Sequence, residues 1–443
     1  MLVNVYKQKL AILILIGVAV AKPALAQVWT LQQCIDTALV NNKNLQIGRN
    51  GILMGEQKHK EATANLIPKI TANADYRYYT DQPYQLMPAS VFGGPTGTFK
   101  EAQFGVPHNI NANIQLALPL YNSQVYGAIQ ITNVALELNE LQYKKTEEQL
   151  FYEISNLYYN VQIMHRQLSF IDSNMINSNK LLQNMQLLKE QLLVKMTDVE
   201  KVRLQNEQLL TQKELIKSKF DQTMNALKFT MGVSIDRVVS VDSVISFQNG
   251  IDYISGNAIE TSIAQTQSRV LITELKTLKR SRLPSLSLYG TYGTAGFGYN
   301  ESPNDFLKFF PVGFVGVQMS VPLFNGTVTK RKINQKKVEQ QNSELQINIV
   351  TEQNAMLTAN AKRQRIIAQK TIVNMLSQIQ LAQAIYEQTV LQQKQGLAIL
   401  TDVLLADNAV REAQQAYLSA VVDYLKADLD LRKLTGNIST IKN

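Results

Sequence analysis

The sequence predicts an α+β membrane protein. Four strands per chain must close into a barrel with other copies, joined to long coiled-coil helices in an internal two-fold repeat. Three observations carry that expectation. Four short stretches alternate apolar and polar residues. Two very long stretches lack proline and show heptad spacing. The phrase "LALPLYN" at 116–122 returns as "SVPLFN" at 320–325, with matching neighbours downstream.

The N-terminus reads as a secretory signal over 1–26. Lys7 and Lys9 precede an apolar run from Leu10 to Ala21, and Ala24-Leu25-Ala26 forms an A-x-A cleavage site. That run is shorter than the roughly 20 residues a spanning helix needs. The chain carries a formal charge of +9, and Lys7, Lys9 and Lys22 leave with the signal, so the mature chain has 9 − 3 = +6. The single cysteine, Cys34, is not at the cleavage point, so no lipid anchor is expected there, and one cysteine excludes an internal disulfide. It reads as a small apolar residue on an amphipathic helix. No other stretch is a continuous apolar 18-mer, so any membrane entry must use β-strands.

Repeat one spans 27–256 and repeat two 257–443. Pro119 to Pro322 is an offset of 203, Asp198 to Asp402 is 204, and Gly232 to Gly436 is 204. Upstream, Pro68 to Pro284 is 216, a loop difference. The unit is far longer than a solenoid repeat. Each repeat reads helix, strand hairpin, long helix, turn, helix.

The first helix is expected over 30–66, tolerating Gly48, Gly51 and Gly55 at some cost. The first hairpin is expected over 68–121. Ile70, Ala72, Ala74, Tyr76 and Tyr78 share one phase, and Ile110 to Leu120 alternates the same way. A Pro/Gly-rich loop over 81–108 joins them. The second hairpin is expected over 284–325, with Leu286, Leu288 and Tyr292 in one phase and Val315 to Leu323 in another strand. Period two with a polar second face fits strands of a membrane barrel, and Tyr76, Tyr78, Tyr79, Tyr289, Tyr292, Phe297 and Tyr299 could form an interfacial girdle.

The long helices follow, over about 122–193 and 326–393. At about 1.5 Å per residue, roughly 70 residues reach about 105 Å. Helices at 198–231 and 398–435 are roughly half as long. Leu150, Ile154, Leu157, Val161, Met164, Leu168, Ile171 and Met175 step by four and three. Val403, Ala406, Val410, Ala413, Tyr417, Ala420, Tyr424, Ala427, Leu431 and Leu434 do the same. That is heptad packing. Segment 233–256 fits neither seam and is expected as a mixed strand and short-helix belt.

Four strands cannot close a barrel, and open edges are not viable in lipid, so the chain must oligomerise with cyclic symmetry. Taken together, "TLQQCIDTALVNN", "LIPKI", "RLPSLSLYG", the two junction phrases and "QGLAILTDVLLADNAVREAQ" resemble the TolC family of outer-membrane efflux proteins over nearly the whole mature chain. The resemblance implies a homotrimer in the outer membrane of a Gram-negative cell. It implies a twelve-stranded barrel continuous with an α-helical barrel crossing the periplasm. The implied function is an exit duct for drugs, small molecules or proteins, working with a periplasmic adaptor protein and an inner-membrane transporter.

Site by site, the alternatives stand side by side. Asp402 matches the acid of the family's last turn and could form a charged ring at the periplasmic pore entrance. Equally, it could be a helix N-terminal acid, as Asp198 would be in repeat one. The family's second acid position is Leu405, and its tyrosine latch position is Gln393. Gly396 permits the turn at the tip, where Thr401, Thr197 and Asp198 join it as candidate adaptor contacts. At the strand-to-helix junction, Pro119 and Pro322 are expected to end the strands, with Tyr121 and Phe324 at the membrane interface. Asn122 and Asn325 are expected to cap the helices that follow. The basic runs at 276–282 and 330–337 could face anionic headgroups or be solvated faces.

No enzyme chemistry is expected. His59, His108 and His165 lack metal-ligand spacing, and "GTYGTAGFG" at 290–298 lies in a strand, so it is no phosphate loop. No cofactor and no nucleic-acid partner are expected; outer-membrane lipid is. The rival reading is a secreted coiled-coil structural or adhesive protein.

Overall fold

The computed structural model describes residues 28–245, 253, 256, 258–302 and 305–438. The expected signal over 1–26 lies outside them, as do 246–252, 254–255 and 257 near the repeat boundary, and 303–304 of the second hairpin loop. Two compact units emerge, and each draws on both sequence repeats. One holds the described residues up to Asn50, from Leu141 to Ser262 and from Asn348 onward; the other holds Gly51–Glu140 and Ile263–Ile347.

The second unit carries a four-stranded antiparallel sheet: β2 (Lys69–Tyr78), β5 (His108–Tyr121), β7 (Ser285–Tyr299) and β8 (Phe306–Ser320), paired in the order β2-β5-β7-β8. Its register explains the sequence alternation. Ile70 faces Leu116, which faces Gly290, which faces Val315; Ala72 faces Ile114, which faces Tyr292. Because the side-chain period is two, this register gathers Ile70, Ala72, Ala74, Ile110, Ile114, Leu116, Leu288, Val315, Val317 and Met319 on one face. The other face is polar on β2 and β5, with Thr71, Asn73, Asp75, Arg77, Asn111, Asn113 and Gln115 and an Arg77–Asp75 pair at 3.0 Å, but carries exposed Phe310, Val312 and Phe314 on β8. Both faces are open: every residue of β2 is exposed, and so is nearly all of β8. The alternation on β2 and β5, apolar on one face and polar on the other, fits strands standing between lipid and water.

Two expectations need correction in this unit. The 81–108 loop is not wholly irregular: Tyr84–Pro88 (β3) and Phe99–Gln103 (β4) pair as a small hairpin. Hairpin pairing needs only short extended runs, and Tyr84-Gln85-Leu86-Met87 alternates too briefly to stand out. Pro119 does not end its strand. It pairs opposite Ser287, and β5 runs on to Tyr121 through an irregularity at Leu120. β2 has already ended opposite Ala117, so Pro119 has a ladder neighbour on one side only, a place that tolerates a missing N–H. Pro322 does lie beyond its strand, which stops at Ser320.

The helices that cross or belong to the other unit are α1 (Leu31–Asn41), α2 (Lys43–Ala64), α3 (Ser123–Glu190), α4 (Met196–Met231), α5 (Ile259–Arg280), α6 (Val328–Lys394) and α7 (Leu400–Leu434). The lengths of 68 and 67 residues for α3 and α6, against 36 and 35 for α4 and α7, match the long and half-length helices the seams called for. The expected single helix over 30–66 is instead α1 and α2, broken at Asn42. Asn42 takes an extended conformation, its Nδ2 donates to Thr230 O at 2.7 Å, and its Oδ1 accepts from Asn44 and Leu45 N. A side chain that bonds α4 on one side and caps a new helix on the other outcompetes continuous helix. Thr30 starts α1 in a reciprocal capping box with Gln33.

Heptad positions form the cores of this unit. Ile154 and Val161 of α3 pack with Ile35, Ala38, Leu45, Leu227 and Met231 in one fully buried cluster. Val403, Ala406, Val410 and Ala413 of α7 pack with Met185, Val199 and Val202 in another. Cys34 is fully buried in the first cluster, and burial pushes its thiol up to about 12, consistent with a small core residue. Segment 233–256 supplies β6 (Ser240–Val241), which pairs in parallel with β1 (Val28–Trp29). Its described residues include no short helix, so the helical half of that expectation is not met there. No described helix is long and apolar enough to cross a membrane.

Candidate functional site

Two helix-to-helix turns define the first candidate region. α6 closes on Gly396, which takes a left-handed φ of +74°, with Leu397 N donating to Gln392 O at 2.9 Å. That is the glycine-terminated helix end expected of this position. The equivalent residue of repeat one, 204 positions earlier, is Leu192. It takes the same turn with φ +62°, and Leu193 N donates to Leu188 O at 2.9 Å. A leucine there carries a cost of about 1–2 kcal/mol. It is also 92% exposed, so no packing repays that cost within the chain.

Asp402 sits in the first turn of α7 and accepts a hydrogen bond from Ile399 N at 3.1 Å. Its side chain therefore performs the helix N-terminal role. Asp198, its counterpart in α4, instead accepts from Lys201 Nζ at 3.3 Å. Thr197, Thr401 and Asp402 are exposed, and Asp198 is half-buried. The turns also present exposed apolar residues that pattern reading did not single out: Leu192, Leu193, Leu397 and Ile399. The 204-residue offset between Gly396 and Leu192 was the signal available for the first of these.

Two buried polar clusters were also missed, because each joins helices far apart in sequence. Asp407 on α7 is buried, where it accepts from Gln205 Nε2 of α4 and pairs with Arg411. Burial pushes its carboxyl up, partly offset by Arg411. Asp428, also on α7, pairs with Arg365 of α6 at 3.1 Å and Arg432 at 2.8 Å, and accepts from Tyr253 Oη at 2.8 Å.

A half-buried acid offers a pH handle. Burial, then the neighbouring Glu260, raises Glu148 from 4.5 to about 7, against the pull of Lys433. The folded chain thus binds this proton more tightly than the unfolded one. Stability is expected to fall as pH rises from about 4.5 to about 7, where Glu148 is forced to ionise in place. Glu148→Gln should raise the thermal midpoint at pH 8 and leave it unchanged at pH 4. An equal shift at both pH values would remove Glu148 as the cause.

The junction residues form the second region. Asn122 caps α3, accepting from Gln124 N at 2.9 Å and Val125 N at 3.4 Å. Asn325 does not cap α6 in this way. Its amide donates to Thr329 Oγ1 at 2.5 Å, and the chain turns through Gly326 and Thr327, both at positive φ, before α6 begins at Val328. Those extra residues move Asn325 out of the cap position, which explains the difference from Asn122. Tyr121 and Phe324 are both exposed.

This combination of an open two-faced sheet and long seam helices is matched by known proteins. The sequence pattern described as "Outer membrane efflux protein" covers residues 34–233 and 276–437. The chain belongs to that family. Its coverage takes in both long helices, both half-length helices and the whole of both hairpins, so this efflux protein is an outer-membrane protein. Among relatives, outer membrane protein TolC of Salmonella enteritidis is 20% identical over 446 residues, covering 96% of this chain and 86% of the relative. Among solved structures, the outer membrane protein VceC from Vibrio cholerae aligns with a TM-score of 0.75 at 16% identity, over 92% of this chain and 96% of that one. The CmeC outer membrane channel of Campylobacter jejuni aligns with a TM-score of 0.75 at 14% identity, over 92% and 85%. At such identities the structural likeness speaks for the fold.

Proposed function

We propose that this outer membrane efflux protein is the passive exit duct of a tripartite efflux or type I secretion system. It would conduct drugs, small molecules or proteins from an inner-membrane transporter and periplasmic adaptor to the outside. The observation that carries the reading is the four-stranded sheet with one apolar face, a second face that is polar on β2 and β5, and two unpaired edge strands, β2 and β8. Such edges are not viable in lipid. Three copies joined edge to edge give three times four, or twelve, strands, in the range of closed outer-membrane barrels. The two sequence repeats would then give each protomer two similar hairpins and two coiled coils.

The helix-turn tips, with Gly396, Thr197, Asp198 and Thr401, are the proposed adaptor contact. Exposed Leu192 and Leu397 at the same turns support a surface that is covered by a partner. Planar-bilayer conductance of the purified, detergent-solubilised oligomer tests the duct. An intact oligomer that gives no conductance would overturn it and favour a structural coiled-coil protein.

Asp402 remains the proposed pore gate, because its side chain is exposed while one oxygen holds Ile399 N. Asp402→Ala is expected to lower cation selectivity and weaken divalent-ion block, with about 1 kcal/mol lost from the helix end. Unchanged selectivity and block, with the stability loss present, would leave Asp402 as a helix N-terminal acid and the duct intact.

A further inference from the structure

Where the sheet meets the helices, the strand-bearing unit contains a cavity of about 660 Å³. Asn122, Arg282, Ser320, Leu323, Phe324 and Lys330 are among its lining residues. Its chemistry has three parts.

The first is unbalanced charge. Arg282 and Lys330 line the cavity, and no acidic residue does. Among the described residues, no carboxylate pairs with either. The contrast is Lys336 of the same basic run, which pairs with Glu274 at 2.8 Å and Glu339 at 2.6 Å. Here the chain neutralises one lysine and leaves another facing a cavity.

The second is a helix end left open beside those cations. Asn122 caps α3 with its side-chain oxygen. At α6, Asn325 is turned to Thr329 instead, and among the described residues no side-chain oxygen accepts from the first-turn amides. Thr329 and Lys330 of that turn line the cavity. Val328 N is held by Asn325 O at 3.3 Å, which leaves the amides of Thr329 and Lys330, with the positive end of α6, to favour an anion.

The third is an apolar lip. Leu323 is 91% exposed and Phe324 is 83% exposed. They follow directly on β8, whose apolar face runs through Val315, Val317 and Met319 to the strand end. The lip therefore continues the surface that the outer-membrane assignment places against lipid. A free anion would have no use for it, whereas an acyl chain would.

We infer that this cavity binds the headgroup of an anionic phospholipid in the leaflet on the helical side of the membrane. The phosphate sits against Arg282, Lys330 and the first-turn amides of α6, and the acyl chains lie over Leu323 and Phe324. The inference rests on the outer-membrane placement and goes beyond conduction: a bound lipid would fix the depth at which sheet gives way to helix.

Native mass spectrometry of the full-length oligomer tests it, with phosphatidylglycerol, phosphatidylcholine or inorganic phosphate added in turn. Phosphatidylglycerol should be retained in preference to phosphatidylcholine. The double variant Arg282→Gln, Lys330→Gln should weaken retention about thirtyfold, from two charges near a headgroup. Phe324→Ser should weaken it as well, and Arg331→Gln, outside the lining, should not. Undiminished retention in the double variant overturns the site. Inorganic phosphate binding as well as the lipid, with Phe324→Ser silent, makes it a free-anion site and overturns the lipid assignment. No retention by the parent protein means a neighbouring copy fills the cavity, which also overturns it. Conductance recorded on the same samples separates the outcomes: a conducting oligomer without lipid fails this inference alone, and a lipid-retaining oligomer without conductance fails the duct alone.

Discussion

Asp428→Ala is expected to cost about 3–5 kcal/mol, because it removes the carboxylate shared by two buried arginines. Arg365 and Arg432 are each less than a tenth exposed. Asp428 sits between them, and both guanidiniums stack on the Tyr253 ring, at 5.2 and 5.1 Å from its centroid. Tyr253 Oη donates to Asp428 and accepts from Arg432 Nε at 2.7 Å. Burial, then Asp428, holds that hydroxyl in its neutral, donating form. The carboxylate thus ties α6, α7 and Tyr253 together. Removing it leaves two like charges sharing one aromatic face. Thermal unfolding followed by circular dichroism reads the effect. Asp428→Asn should lose less, since it keeps an acceptor for one of the three donors. A loss below about 1 kcal/mol for the alanine variant would mean the cluster is solvated after all.

Gly232→Val is expected to cost about 3 kcal/mol, from two independent causes. Gly232 ends α4 at φ +70°, with its N–H bonded to Phe229 O at 2.9 Å. A side chain there is strained whatever the space. Space is also lacking, since a Cβ would stand 2.6 Å from Asn41 O at the end of α1. Beside it, the Asn42 side chain bonds Thr230 O. The close approach of α1 to the α4 terminus therefore depends on this glycine. Gly51 of α2 gives the contrast: nothing stands within 4 Å of its Cβ position, so Gly51→Ala should gain about 1 kcal/mol from helix propensity alone. If Gly232→Val matched Gly51→Ala in sign, the close approach would not be a constraint.

Periodic signals were legible in the sequence, and singular ones were not. The strand alternation and heptad steps marked β2, β5, β8 and the seams of α3 and α7, because burial repeats at a fixed spacing along each element. The break at Asn42 and the hairpin of β3 and β4 repeat nothing. Nor could the fate of Pro119 be read locally, since it depends on where the neighbouring strand β2 ends. The same holds for the sites. Gly396 was legible as a turn because left-handed backbone selects its residue type. The equivalent strain at Leu192 was not, because nothing about leucine announces it. The Asp428 and Asp407 clusters, like the phosphate-ready cavity, assemble from residues tens to hundreds of positions apart.

By itself, then, the sequence determined the four main strands, the long and half-length helices and the expectation of partner copies. Each follows from local patterns of apolar burial and from the rule that strand edges must be closed in lipid. The tertiary structure alone decided which residues share each face of the sheet, which helix end lacks a side-chain cap and which acid sits between two arginines. Those depend on register, on cap geometry and on the meeting of distant helices, where one residue's displacement changes what its neighbours can bond.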